Sequence, residues 1–143
     1  MKLSSHYANA AELPKLSMTE YPCLYLIGQP QEWDIDNGNI AIQRVSNAAR
    51  VYRGNLYIPS GQFDFRFYGQ LRDWESYSIG AMDDDEPVEI QFNNEGMYEG
   101  PLYEGGADSQ KGKGKWSAPD WAGGRFKAEI NLEDKKLAFT KMA

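Results

Sequence analysis

The stretch Gly61-Gln62-Phe63-Asp64-Phe65-Arg66-Phe67-Tyr68-Gly69 decides the fold of this chain. Its phenylalanines alternate with polar residues, and in an extended strand this period of two sends the rings to one face and the polar groups to the other. The pattern therefore predicts a strand over residues 63–68 with a buried face of rings and an exposed face that carries Asp64 and Arg66. A shift of one residue in register would reverse every side chain.

Short apolar or alternating runs recur along the rest of the chain. They predict strands over residues 23–28, 40–45, 51–58, 76–82 and 88–92, and a hairpin that joins residues 125–132 to residues 136–142. Residues 93–124 are rich in glycine and weakly periodic, so we expect an irregular excursion there with one strand at 115–117. Strands about every ten residues without helical intervals predict an all-β protein, an antiparallel β-sandwich of the immunoglobulin-like or carbohydrate-binding-module type.

Composition limits the classes of function. The chain has 143 residues, enough for one domain with a core, and we expect residues 1–20 to be a flexible lead-in or linker and residues 21–143 to form one module. Four Trp, nine Tyr and six Phe are more than a minimal core needs. Twenty-one acidic residues against fifteen basic ones give a net charge of −6, which disfavours nucleic acid as a partner.

The single cysteine and the single histidine remove several kinds of site. Intrachain disulfides, Cys/His zinc sites and catalysis by a placed imidazole are excluded, and we expect Cys23 to be a buried small hydrophobe and His6 a bystander. The acidic run at residues 83–86 lacks the spacing of an EF-hand and is interpreted as a solvated turn, so neither a metal nor a cofactor is expected. Residues 1–11 lack the apolar block of a secretory signal, and no run is long enough for a membrane helix. We expect a soluble chain, from which any targeting segment has been removed.

Landmark motifs follow one another in a recognisable order. They are Leu24-Tyr25-Leu26-Ile27-Gly28, a loop with Trp33, Tyr52-Arg53-Gly54-Asn55-Leu56, the phenylalanine strand, Trp74 with Tyr77 and Gly80, Pro119, Gly123-Gly124-Arg125-Phe126 and Ile130-Asn131-Leu132. In this order and spacing, residues 21–142 resemble the SusE/SusF family. That family consists of surface lipoproteins of Bacteroidota built from tandem β-sandwich starch-binding modules.

The resemblance implies a non-catalytic carbohydrate-binding module, monomeric when alone, that captures starch-like α-glucan or a related polysaccharide. It implies a lipid-anchored protein at the outer-membrane surface, where other glycan-uptake proteins are its partners. The family's sites generally use two aromatic platforms and a nearby basic residue, and by position the platforms are Trp33 and Trp74. Asp64 stands where the family has the basic residue, so Arg66, on the same face, is the predicted donor.

The physical requirements of a sugar site support a wider set of candidates. A pyranose ring packs its C–H bonds against an indole, while its hydroxyls need the donors and acceptors of a guanidinium and a carboxylate. The candidate glycan-binding residues are Trp33, Trp74, Arg66, Asp64, Tyr77 and Trp121. Each has a structural alternative, since a tryptophan is often a core anchor and a strand arginine is often a solvated cross-strand partner.

Trp116 and Trp121 lie in the region that is predicted to be irregular. Such a loop is a poor place to bury two indoles, so we expect at least one of them to be exposed, and exposed large aromatic side chains tend to mark binding surfaces. The alternative is that both indoles cap the end of the sandwich.

Three classes of function stay open on the sequence alone. The first is the carbohydrate-binding module, and the second is a spacer or protein-interaction module that kept the fold and lost the site. The third is a glycoside hydrolase, which needs only two carboxylates. No pair among the twenty-one carboxylates stands out by spacing, so the hydrolase is the weakest of the three.

Overall fold

The computed structural model describes residues 21–34, 37–46, 49–70, 77–82, 86–105 and 114–142. Within these ranges the chain is almost entirely β, and none of its helical turns is long and apolar enough to cross a membrane. The strands are β1 (Cys23–Gly28), β2 (Ala41–Ser46), β3 (Ala49–Ile58), β4 (Gly61–Tyr68), β5 (Ser78–Gly80), β6 (Val88–Glu89), β7 (Met97–Pro101), β8 (Tyr103–Gly105), β9 (Trp116–Trp121), β10 (Gly124–Asn131) and β11 (Lys136–Lys141).

The strands join into one curled sheet, in which the order of neighbours is β6-β9-β4-β1-β2-β3-β10-β11-β7. Beside this path, β5 pairs with β4 and β8. β2 connects the two halves of the sheet, because its first residues pair with β1 and its last residues pair with β3. The all-β prediction is confirmed. The wholly antiparallel arrangement is wrong at one place, since β6 and β9 run parallel and make the sheet mixed.

The core lies between β4 and β9 on one side and β10 and β11 on the other. Phe65 stacks on Trp116 with ring centroids 5.6 Å apart and meets Phe139 edge-on at 5.3 Å. Phe63 lies 5.9 Å from Phe126. Such contacts add to the free energy gained by burying apolar area. Rings from both halves of the sheet therefore hold its curl.

The predicted register of the phenylalanine strand is confirmed. Phe63, Phe65 and Phe67 are all buried in the core, while Arg66 lies half-buried on the opposite face of β4. The predicted N-terminal strands correspond to β1, β2 and β3, and the predicted hairpin corresponds to β10 and β11, which pair along their whole length. The strands predicted over residues 76–82 and 88–92 correspond to β5 and β6, which are shorter than predicted.

The strand predicted at 115–117 corresponds to the start of β9, but the irregular excursion predicted for the rest of residues 93–124 is wrong, because β7 and β8 also lie there and β9 continues to Trp121. β9 pairs with β4, and β7 pairs with β11, so partners distant in sequence impose the strand conformation where local alternation is weak. The predicted exposure of an indole is also wrong. Trp116 and Trp121 are both buried, and a register irregularity opposite β4 accompanies the inward position of Trp121.

Cys23 is half-buried rather than buried, which corrects the prediction for the thiol. It lies on the outer face of β1 beside Tyr25, whereas Leu24 and Leu26 point into the core. A hydrogen bond with Cys23, together with burial, raises the pKa of Tyr25 to about 12.

β1 lies close against β4 at Gly28, and a side chain there has no room. A Cβ atom on Gly28 would lie 1.9 Å from the backbone oxygen of Asp64. We predict that Gly28→Ala forces β1 away from β4 and lowers the free energy of unfolding by about 3 kcal/mol, measured by urea denaturation.

Gly54→Ala is the matched control for this substitution. Its nearest contact would be the Cγ2 atom of Ile42 at an ordinary 3.6 Å, so we expect a change within about 1 kcal/mol. An equal loss of stability in the two variants would contradict the role given to the close approach at Gly28.

Candidate functional site

Trp33 follows β1, and hydrogen bonds within residues 28–34 fix its position. A short 3-10 helix at Gln29–Gln31 follows β1, and after it Glu32 and Trp33 have φ angles of 53° and 58°. This left-handed conformation is costly for residues other than glycine. The Trp33 backbone N–H donates to the Gly28 carbonyl at 2.9 Å, and the indole Nε1 donates to Gln29 Oε1 at 2.9 Å. These bonds set the position of the indole.

Gln31 is the buried anchor of the same segment. Its Oε1 accepts a hydrogen bond from the Gly28 backbone N–H at 2.8 Å. Its Nε2 donates to the Leu26 carbonyl and to Asn39 Oδ1, both at 2.9 Å. These hydrogen bonds offset the free-energy cost of burying the amide. Gln31 therefore ties the residues before Trp33 to β1 and to Asn39.

Arg66 lies beside Trp33, as the sequence predicted for the basic member of the site. The guanidinium carbon is 5.8 Å from the centre of the Trp33 ring and 5.5 Å from the centre of the Tyr68 ring. Both distances fall within the range of cation–π attraction, roughly 6 Å. We call Trp33, Arg66 and Tyr68 the Trp33 cluster. It presents a half-buried indole and a half-buried guanidinium on the outer face of β4.

Asp64 lies on the same face of β4 as Arg66, but the prediction that it is exposed is wrong, because only 1% of the residue is accessible. Its Oδ1 accepts a hydrogen bond from Ser117 Oγ at 2.6 Å. Its Oδ2 accepts from Lys115 Nζ at 2.9 Å and from Gln62 Nε2 at 2.8 Å. These three donors are Ser117 of β9, Lys115 just before β9 and Gln62 of β4 itself, and together they surround the carboxylate. Asp64 therefore joins β9 to β4 instead of offering free oxygens to a ligand.

Tyr77 lies apart from the Trp33 cluster, in a network of charged side chains. Its ring stacks on Tyr21 with centroids 5.0 Å apart, and its hydroxyl donates to Glu104 Oε1 at 2.5 Å. Arg50 Nη2 donates to the same oxygen at 2.6 Å, and Lys135 pairs with the other. Burial raises the pKa of Tyr77 far above its usual value, and the charge of Arg50 offsets this only in part. The contacts of Tyr77 are those of a structural residue.

Trp121 lines a groove of about 300 Å³ at one end of the sheet. Its indole N–H donates to the Ile58 carbonyl at 2.9 Å, and its ring lies 5.9 Å from that of Phe92. The Lys141 ammonium sits 4.5 Å from the Phe92 ring centre and 5.8 Å from that of Trp121. The groove is also lined by Glu89, Ile90, Gln91, Ala118, Pro119, Asp120 and Ala122. Only 6% of Trp121 is accessible, so little of this indole is open to a ligand in the groove.

Phe92 and Lys141 were missed by the sequence reasoning, although one signal for Lys141 was present. Leu137, Phe139 and Lys141 follow one another at every second position, which places the lysine on the inward side of its strand. No local pattern shows that this strand end meets the segment after β6.

Several predicted features fall outside the described residues, namely Trp74, the lead-in over residues 1–20 and most of the acidic run at 83–86. In the part of the chain that the structure covers, no group of three or more Cys, His, Asp or Glu side chains is placed to hold a metal ion. Comparisons of the chain with protein-family models, with curated proteins and with solved structures found no match.

The Asp64 carboxyl gives a pH-dependent test of its structural role. Burial acts to raise its pKa, but the hydrogen bonds from Ser117, Lys115 and Gln62 outweigh burial and lower the pKa below its usual value. A carboxyl of this kind stabilises the fold above its unfolded-state pKa, about 3.9, and the contribution is lost as the pH falls through the folded value. We predict that the free energy of unfolding falls less steeply below about pH 4 in Asp64→Asn than in the wild type.

Urea denaturation over a series of pH values measures this difference. At pH 7 the Asp64→Asn variant should be less stable by about 1–3 kcal/mol, because one acceptor for buried donors is replaced by an amide. Asp120→Asn, which removes an exposed carboxylate, is the matched control. Identical acid profiles for Asp64→Asn and the wild type would show that the carboxylate does not support the contact between β4 and β9.

Proposed function

We propose that the protein is a non-catalytic carbohydrate-binding module for starch-like α-glucan or a related polysaccharide, and that the Trp33 cluster is its contact surface. The observation that carries the proposal is the Arg66 guanidinium 5.8 Å from the Trp33 ring. An indole offers a flat apolar surface to the C–H groups of a sugar, and a guanidinium donates hydrogen bonds to its hydroxyls. The two chemical requirements of a sugar site meet at one place.

The fixed loop supports this proposal energetically. Binding loses less conformational entropy when the contact residues are ordered before the ligand arrives. The hydrogen bonds of the Trp33 backbone and indole, together with the buried Gln31 amide, provide that order. We therefore assign the platform role to Trp33 and the donor role to Arg66.

Lys115 supports the proposal from the neighbouring strand segment. The sequence has Asp64 where the resemblance to SusE/SusF calls for a basic residue, and Asp64 binds the Lys115 ammonium at 2.9 Å. The Lys115 side chain is 42% accessible. The partly exposed Lys115 side chain thus lies next to Asp64, the position at which the family has a basic side chain.

The proposed architecture is a β-sandwich of the immunoglobulin-like or carbohydrate-binding-module type, with the two halves of the curled sheet as its layers. Rings that meet across the core, such as Phe65 with Phe139, support it. The resemblance supports a place at the bacterial outer-membrane surface, as part of a lipid-anchored protein that works with other glycan-uptake proteins. We propose that the isolated module is monomeric.

The alternative proposal is a spacer or protein-interaction module of the same family that has lost glycan binding. The burial of Asp64 and the separate location of Tyr77 favour it, because two candidate contact residues have structural partners instead. Binding measurements decide between the two proposals.

We predict a dissociation constant on the order of 10⁻⁵ to 10⁻³ M for maltoheptaose or a related glucan, the range in which tandem modules gain from avidity. Trp33→Ala and Arg66→Ala should each weaken binding by about 1–3 kcal/mol, since each removes one of the two contact chemistries. Isothermal titration calorimetry with maltoheptaose, cyclodextrins and a panel of plant and mucin glycans measures this, and an assay for reducing ends tests for hydrolysis.

Arg53→Ala is the matched control for Arg66→Ala. Arg53 is an exposed arginine on β3, outside the Trp33 cluster, and its Nε pairs with Glu129 at a distance of 2.8 Å. Its loss should therefore leave glucan binding unchanged. Absence of binding to every glycan at millimolar concentration would favour the spacer module. A fall in melting temperature for Trp33→Ala as large as that for the core variant Phe65→Ala would make Trp33 a structural residue.

A further inference from the structure

A second exposed surface lies on the outer face of β3 and β10. The strand register pairs Tyr57 with Arg125 and Asn55 with Lys127, and all four side chains are exposed. Tyr57 is 66% accessible. Directly paired residues point to the same face with Cβ atoms about 4.5–5.5 Å apart, so the phenol and the guanidinium lie side by side.

β11 extends this surface on the other side of β10. Lys127 pairs with Thr140, and the Met142 backbone N–H donates to the Arg125 carbonyl at 2.9 Å, which continues the register. Met142 is 40% accessible. The Tyr57 face is defined as Asn55, Tyr57, Arg125, Lys127, Thr140 and Met142.

The two cations of the Tyr57 face have no acidic partner among the described residues. No hydrogen bond or ion pair joins the Arg125 or Lys127 side chain to any residue in the part of the chain that the structure covers. The next register pair along the strands, Arg53 with Glu129, is closed by its own ion pair at 2.8 Å and bounds the surface. On a chain of net charge −6, this face is a local positive area around an exposed phenol.

We propose that the Tyr57 face binds an acidic polysaccharide chain, with a sugar ring stacked on Tyr57 and the anionic groups of the chain held by Arg125 and Lys127. The phenol provides an aromatic face for the C–H groups of the sugar. The guanidinium binds a carboxylate or a sulfate through two parallel hydrogen bonds, and the ammonium adds a point charge. Asn55 and Thr140 lie on the two sides of Lys127 and supply donors and acceptors for hydroxyls.

This face is separate from the Trp33 cluster. Phe65 of β4 and Phe139 of β11 meet in the core at 5.3 Å, so the outer faces of these two strands lie on opposite sides of the molecule. The inference therefore goes beyond the proposed function, because it concerns a different surface and a charged class of ligand. Loss of neutral-glucan binding leaves it standing.

The ligands that test the proposal come in matched pairs. Sodium polygalacturonate is compared with its fully methyl-esterified, neutral form, and dextran sulfate is compared with dextran, by affinity electrophoresis and calorimetry. We expect binding to at least one acidic polymer and at least about tenfold weaker binding to its neutral counterpart. The two pairs distinguish carboxylate from sulfate recognition. Binding should weaken at about 1 M salt, where charge attraction is screened within roughly 3 Å.

Tyr57→Ala and Arg125→Gln test the two halves of the site. Each should weaken binding to the acidic polymer by about tenfold without a change in melting temperature, because both side chains are exposed. Arg53→Gln is the matched control, since it removes the same charge from a neighbouring arginine that is already paired. Trp33→Ala should leave this binding unchanged, which separates the proposal from the neutral-glucan site.

Four outcomes would overturn the proposal. Wild-type affinity in Tyr57→Ala would show that no sugar ring stacks on the phenol. An effect of Arg53→Gln equal to that of Arg125→Gln would show that only net charge matters. Equal binding of polyglutamate or a single-stranded oligonucleotide would mark a surface for anions in general, and failure to bind either acidic polymer would remove the site.

Discussion

The burial of Phe63, Phe65 and Phe67 on one face of β4 is the constraint on which the rest of the structure depends. Each buried ring contributes on the order of 1.5–3 kcal/mol of transfer free energy, and together the rings fix the direction of every side chain on the strand. β9 and β1 pair with β4 on its two sides, and β10 and β11 pack against its rings. Asp64 and Arg66 are directed outward as a consequence, toward the only face of β4 that remains.

The alternation of apolar and polar residues was enough to predict the strands in which it decides which side chains are buried. The register of β4, the buried run of β1 and the hairpin of β10 with β11 all follow from side-chain periods within one segment. β7 was missed, and only the start of β9 was predicted, because their conformation depends on distant partners. Pro119 also lies within β9, where proline lowers the expectation of a strand, and Trp116 and Trp121 become inward residues only when β9 lies against β4.

The contact between Trp33 and Arg66 was also predictable, because both residues belong to segments with a clear local signal. Trp33 follows β1, Arg66 lies on β4, and these strands pair with each other, so a loop and a strand that the sequence identified are brought together. Tyr77 was not predictable in this way. Its partner Glu104 comes from β8, a strand with no clear local signal, and that contact decides that Tyr77 has a structural environment.

The ion pair of Asp64 with Lys115 has an electrostatic consequence that the sequence conceals. The Asp64 side chain is 2% accessible and the Lys115 side chain is 42% accessible, so the positive partner of the pair is the one nearer to solvent. Hydrogen-bond donors that the fold supplies surround the Asp64 carboxylate, so the more exposed charge at this point is positive although the residue on β4 is acidic. Counting acidic and basic residues along a strand therefore misjudges which ions this face attracts.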